Sequence, residues 1–243
     1  MNPLAIVVPR VVPRVALVAL ALAATLPAMA TGALVPGTAN LNLAGRDAGY
    51  TCCSGDGLAG QSPTQVAGLA LVAGQALRIA AHGEVSYFGG AGAGDNPDGS
   101  AYNGVPYDYG DGITAPLNVN RVDALLGLFL GAASPTGGAS PVAMDLSGGL
   151  GFTSLAPLVG QMFFIGNGLT GDTQLGEFGG TVQQFIVPTG ATRLYLGTAD
   201  GFGWANNNGS FTVDVSVVPE PATEALLAVG LAALAWRARR TRR

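Results

Sequence analysis

The sequence predicts an all-β body, an antiparallel β-sandwich, lying between an export leader and a short C-terminal membrane helix. Three observations carry that class. Glycine supplies 38 of 243 residues and charged side chains only 11%, against averages of about 7% and 25%, which favours tight turns over helices. Short segments alternate apolar and polar residues with a period of two, and no 3.6-residue apolar stripe competes inside the body. Clusters of Gly, Pro, Asn and Asp separate those segments, as the turns of a sandwich require.

The strands follow in order. Residues 31–65 form a looser N-terminal region with one or two edge strands. Residues 77–87, LRIAAHGEVSY, place Leu77, Ile79, Ala81, Val85 and Tyr87 on one face and Arg78, His82, Glu84 and Ser86 on the other. That is a half-buried strand. Residues 122–130, VDALLGLFL, are apolar on both faces and fit a central strand. Residues 162–165 and 182–187 are shorter strands, and residues 193–197 turn Leu194 and Leu196 inward. Residues 210–218 alternate most clearly, with Phe211, Val213, Val215 and Val217 against Thr212, Asp214 and Ser216. Residues 132–160, rich in Gly, Ala, Ser and Pro, read as a long loop or insertion. The expected division is a leader at 1–30, the N-terminal region at 31–65, the sandwich at 66–218 and a tail at 219–243.

The two ends concern address. Arg10 and Arg14 precede an apolar run over residues 15–26, and Ala28 and Ala30 set the small-residue pattern of signal-peptidase cleavage after Ala30. At the other end Pro219, Glu220 and Pro221 break regular structure before an uncharged run over 225–236, which ends in Arg237, Arg239, Arg240, Arg242 and Arg243. A helix over that run covers roughly 18 Å, short of the ~30 Å hydrocarbon core. The arginine cluster suits a cytoplasmic membrane face. The tail therefore reads as a transient inner-membrane segment with a positive stop. These three parts, in this order, resemble the PEP-CTERM sorting signal of Gram-negative bacteria. The resemblance implies export across the inner membrane, recognition by an exosortase, removal of the tail, and a cell-surface or extracellular destination. Proteins with this signal are commonly associated with exopolysaccharide and biofilm material.

Charge narrows the partners. The chain has no lysine, and between the two ends only Arg46, Arg78, Arg121 and Arg193 face thirteen acidic residues, a balance of about −9. Such a body repels phosphate backbones, so nucleic acid is excluded as a partner. Hard cations suit clustered carboxylates. Cys52 and Cys53 are adjacent and cannot staple distant segments; they are unpaired or bonded to each other, with local effect, or paired between molecules.

The chemistry concentrates in residues 194–215, LYLGTADGFGWANNNGSFTVDV. A strand ends near Gly197, a loop carries Asp200, Asn206, Asn207 and Asn208, and Gly209 opens the best strand. Calcium takes 6–8 oxygens from carboxylates, amides and main-chain carbonyls, and this loop holds such donors. A solvated hairpin with Asn and Gly in turn positions is the other reading. Together with LRIAAHGEVSYFGG, this stretch resembles the calcium-dependent galactophilic lectins of the PA-I type. The resemblance implies a galactose-binding-lectin-like sandwich in which the Tyr87 carbonyl, Asp200, Asn206, Asn207 and a loop carbonyl at Trp204 hold calcium, and the ion holds a sugar. The family's His-Pro-Asp-Gln stretch, which helps hold the sugar, corresponds to Asn96, Pro97, Asp98 and Gly99. Pro and Asp remain there; His and Gln do not. With Asp200, residues Asn96, Pro97 and Asp98 form the implied carbohydrate contact.

A second acidic region, residues 89–112, holds Asp95, Asp98, Asp108 and Asp111 among Gly and Tyr. It reads as a surface loop, or as a loop at the Asp200 end whose Tyr102, Tyr107 or Tyr109 stacks on a sugar. Catalysis has little footing. His82 is the single histidine, on the polar face of its strand. No nucleophile elbow, zinc-type histidine pair or phosphate loop is present. The expectation is a non-catalytic exported protein that binds polysaccharide through calcium. The alternatives are a structural matrix protein with a calcium-stiffened loop, and an extracellular glycosidase.

Overall fold

The computed structural model describes residues 30–52, 59–87, 89, 94–101, 110–218, 229–232, 234, 237 and 239–240. Residues 1–29 of the leader, Ala28 among them, Cys53, the motif residues Pro219, Glu220 and Pro221, Arg242 and Arg243, and Tyr102, Tyr107, Asp108 and Tyr109 lie outside them. The body falls within one unit, Ala28–Glu220. The C-terminal helical residues, which include Arg237, Arg239 and Arg240, belong to another. No helix among the described residues is long and apolar enough to cross a membrane.

The described residues of the body form eleven strands: β1 (Thr31–Pro36), β2 (Thr64–Gln65), β3 (Ala76–Ser86), β4 (Ser100–Ala101), β5 (Arg121–Val122), β6 (Leu125–Leu130), β7 (Ser154–Leu155), β8 (Met162–Phe164), β9 (Gln184–Ile186), β10 (Arg193–Thr198) and β11 (Asn208–Val217). A five-stranded sheet runs β1-β11-β3-β9-β7, a four-stranded sheet runs β2-β10-β6-β8, and β4 pairs with β5. The all-β class holds. Every pairing between these strands is antiparallel except β7 with β9. Between those two the chain crosses into the other sheet to form β8, so it returns in the same direction and departs from the fully antiparallel expectation.

Period-two patterning places the core where it was read. Leu77, Ile79 and Val85 of β3 and Phe211, Val213 and Val215 of β11 are buried with Leu125 and Phe129 of β6, Phe163 of β8 and Leu194 and Leu196 of β10. Residues of both sheets thus share one interior. Its aromatic seam spans them: Phe129 stacks on Phe163 at 5.3 Å between centroids, and Phe163 meets Phe185 of β9 at 5.4 Å. A side chain at Gly127 on β6 would run into the Phe163 ring, so a large residue here is matched by a bare neighbour.

β6 is buried along its whole length and lies between β10 and β8, as a central strand should. Its other face, Leu126, Leu128 and Leu130, packs with Leu41, Ile113, Val119 and Leu146 in a second cluster. The 132–160 stretch therefore covers a sheet face, with β7 as its only strand among the described residues. The N-terminal region joins the same body, since β1 pairs with β11 over six residues and Val35 is fully buried. Cys52 is disulfide-bonded, and Cys53 is the chain's only other cysteine. The bond staples no distant segments, so packing carries the stability. Replacing Phe163 by alanine removes the ring shared by both sheets and should cost about 3–5 kcal/mol, read from the urea midpoint at unchanged slope.

Candidate metal centre

The stretch read as a hairpin is a crossing. β10 belongs to the four-stranded sheet and β11 to the five-stranded one, so residues 199–207 pass from sheet to sheet at one end of the body. Oxygen groups from both layers meet there. Asp200 follows β10 directly and is buried; its Oδ1 accepts from the Gly201 amide at 2.6 Å. Asn208 at the start of β11 pairs with Ser86 at the end of β3, and one step beyond that pair lie Asn207 and Tyr87. Gly209, the second residue of β11, has φ 82°, and a side chain there would strike the Glu84 carbonyl.

Asn207 is buried. Its amide nitrogen donates to the Gly37 carbonyl at 3.0 Å, and its Oδ1 has no hydrogen-bond partner. Asn206 is exposed, and its carbonyl accepts from Gly89 at 3.0 Å. Trp204 acts as a pin. Its indole is buried and donates to the Thr198 carbonyl at 3.1 Å, while its own carbonyl accepts from Asn207 at 3.1 Å.

The pivotal residue is one the sequence reading passed over, Asp123. It is fully buried and sits between β5 and β6. Its amide donates to the Ala199 carbonyl at 2.7 Å, which ties it beside Asp200, and its Oδ2 accepts from the Tyr87 amide at 2.9 Å. Its φ of 63° is a left-handed conformation uncommon outside glycine. Burial, then the neighbouring Asp95 and Asp200 charges, push its carboxyl up from 3.8 to about 8, against the opposing pull of the Tyr87 amide. Asp95 reaches the place through a two-way backbone bridge to Val85 on β3, and its Oδ2 accepts from Ser100 at 2.6 Å. Two carboxylates bond each other only through a shared proton. With both ionised, Asp123 Oδ1 is buried without a partner.

Tyr87, Asp200 and Asn207 thus come together, and Asp95 and Asp123 join them. Among the described residues no group of three His, Cys, Asp or Glu side chains forms a metal cluster on its own. A cation here must take a mixed set of carboxylate, amide and main-chain oxygens, which is the donor chemistry of a hard ion. Asp123 Oδ1 and Asn207 Oδ1, buried and unsatisfied, fit that demand.

The implied sugar contact behaves differently. Asp98 is buried and accepts from Asn167 N at 2.8 Å, Asn167 Nδ2 at 3.0 Å, Thr173 Oγ1 at 2.7 Å and Thr173 N at 3.3 Å. Asn96 Oδ1 accepts from the Asp98 amide at 2.9 Å, and the Pro97 carbonyl accepts from Leu125 at 2.9 Å. Asn96, Pro97 and Asp98 form a clamp that fastens the 167–173 segment, with the Asp98 oxygens spent on the fold. His82 lies exposed on β3 opposite Thr212.

Two comparisons bear on the chain as a whole. Residues 217–240 match the PEP-CTERM protein-sorting motif. No curated protein matches the chain. The motif marks an exported protein, sorted to the cell surface and processed by an exosortase.

The raised Asp123 carboxyl sets a pH dependence. A group that holds its proton more tightly in the fold than in the open chain stabilises most below its ordinary value. Without added cation, stability should fall as pH rises from about 3.8 towards 8. Asp123→Asn keeps the left-handed backbone, removes the titration, and should flatten that slope in melts taken across the range.

Proposed function

We propose that this exported surface protein binds a calcium ion at the seam of its two sheets and, through that ion, a carbohydrate of the cell surface or its matrix. One observation carries the cation: buried Asn207 Oδ1, and buried Asp123 Oδ1 once Asp123 and Asp95 are both ionised, lack a partner at the strand ends where Asp95 and Asp200 converge. Buried polar oxygens are costly unless something satisfies them. A divalent ion satisfies several at once and offsets the like charge. Asp123 and Asp200 would supply negative oxygens, Asn207 a neutral one, and the Tyr87 carbonyl the main-chain donor that the lectin resemblance implies.

The carbohydrate part rests on that resemblance, on the sorting signal's company with exopolysaccharide, and on Phe202, whose exposed ring follows Asp200 by two residues. The second reading is a structural matrix protein in which calcium only stiffens the crossing loop. The use of Asp98 as an internal clamp favours it. In both readings the protein is non-catalytic.

Melting the full chain with and without calcium tests the ion. At free calcium about one hundred times its Kd, binding adds ~2.7 kcal/mol, a rise in Tm of about 5–10 °C for a body of this size. Asp200→Ala and Asn207→Ala should each remove most of that rise. Absence of any rise in the wild type defeats the cation centre. A glycan array probed with and without chelator then separates the readings: calcium-dependent spots support sugar binding, and stabilisation with a blank array supports the structural role.

A further inference from the structure

A separate cleft of about 540 Å3 opens between the 118–121, 146–151 and 170–177 segments. That volume falls within the roughly 300–1,000 Å3 of small-molecule sites. We propose that this cleft is a binding site for a short stretch of neutral polysaccharide, independent of the cation centre.

The lining argues for the ligand class. Asn118, Asn120, Ser147 and Thr170 present amide and hydroxyl groups that both donate and accept. Hydroxyls of a sugar do the same. Arg121 is the one basic residue in the wall, and Asp172 already neutralises it at 2.5 Å, both side chains being largely buried. Glu177 then leaves the cleft with a surplus negative charge. A phosphate, a sulfate or a uronic acid would meet repulsion. A paired guanidinium still offers N–H groups, to neutral hydroxyls.

The floor is apolar, from Val119 and Leu146, and the lip is more so. Leu175, which lines the cleft, is 72% exposed. A sugar ring has an apolar face of C–H groups, and exposed apolar side chains beside hydrogen-bonding groups are what it needs.

The cleft is built in advance of any ligand. Asn118 and Asn120 take left-handed backbones, φ 62° and 49°, and Asn118 is held by Asp145 at 2.7 Å. Non-glycine residues in that region cost energy and collect at ligand clamps. The opposite wall is fixed twice: Asp172 Oδ1 accepts from Gln174 at 2.9 Å, and Thr173 is gripped by Asp98 at 2.7 Å. That second tie gives the Asp98 clamp a purpose, since it sets the wall of this cleft.

The test uses the full chain in affinity electrophoresis against neutral hexasaccharides of glucose, mannose and galactose, with chelator present. The wild type should bind at least one of them. Ser147→Trp, which fills the cleft, and Asn120→Gly, which keeps the backbone and removes the amide, should each weaken binding by at least about tenfold, while Asp200→Asn stays within about twofold. Melting temperatures certify the fold of each variant. If the tryptophan variant melts early, Asn120→Gly and Glu177→Ala decide, and wild-type binding by both overturns the site. The proposal also fails if nothing binds under chelation, if Asp200→Asn abolishes binding that the cleft variants spare, or if uronic-acid hexasaccharides are preferred. Because chelator empties any cation centre, a blank result there with calcium-dependent binding restored faults the cleft alone.

Discussion

Like charge gathered where water is scarce is the constraint on which this end of the molecule turns. The charges acting on Asp123 come from Asp95 and Asp200, and both are negative. A fold that places them together must supply protons, a cation, or enough directed N–H groups. To Asp123 it supplies one such group, the Tyr87 amide, and to Asp200 the Gly201 amide. The neighbouring structure is best understood as holding those oxygens against their repulsion. The β3–β11 ladder, ten residue pairs long, fixes Tyr87 beside Asn207. The amide of Asp123 on the Ala199 carbonyl fixes the loop to the end of β10. Trp204, buried and bonded to Thr198, stops the crossing loop from swinging outward.

The same segments serve the cleft. Residues 118–123 begin in its wall with Asn118 and end at the charged seam with Asp123. Residues 95–98 begin at the seam with Asp95 and end in the clamp on Thr173. The small β4–β5 ladder joins these two stretches, pairing Ser100 with Val122 and Ala101 with Arg121. Two loops, the 118–123 one with left-handed backbone at Asn118, Asn120 and Asp123, one ladder and the buried carboxylates Asp98 and Asp123 thus form a single frame with a candidate ligand position at either end.

Much of the body could be read from residue order because its signals are local. Alternation in β3 and β11 and the unbroken apolar run of β6 state their own burial. Asp200 and Asn207 were legible because turn residues flanking a strong strand mark a loop tip. Asp123 was not. It stands in an apolar run, Val122 to Leu130, and a single acid there looks like an interruption in a strand; its meaning depends on Asp95, 28 positions earlier, and Asp200, 77 later. The Asp98 clamp was hidden for the same reason, since Asn167 and Thr173 are bound by contacts some 70 residues away. The crossing between sheets was hidden too. Sequence spacing allows a hairpin and a crossover equally, and only the partners of β10 and β11 distinguish them.

The place of β11 has a mechanical consequence. It is an inner strand, flanked by β1 and β3 and carrying ladders on both edges, and it stops at Val217, where the sorting motif begins. A tether made just past that point pulls along the strand's own axis. Both ladders then share the load in shear, so their hydrogen bonds must fail together, where a peeling force would open them singly. A domain moored by that end can bear drag from flowing water while its far loops stay in register.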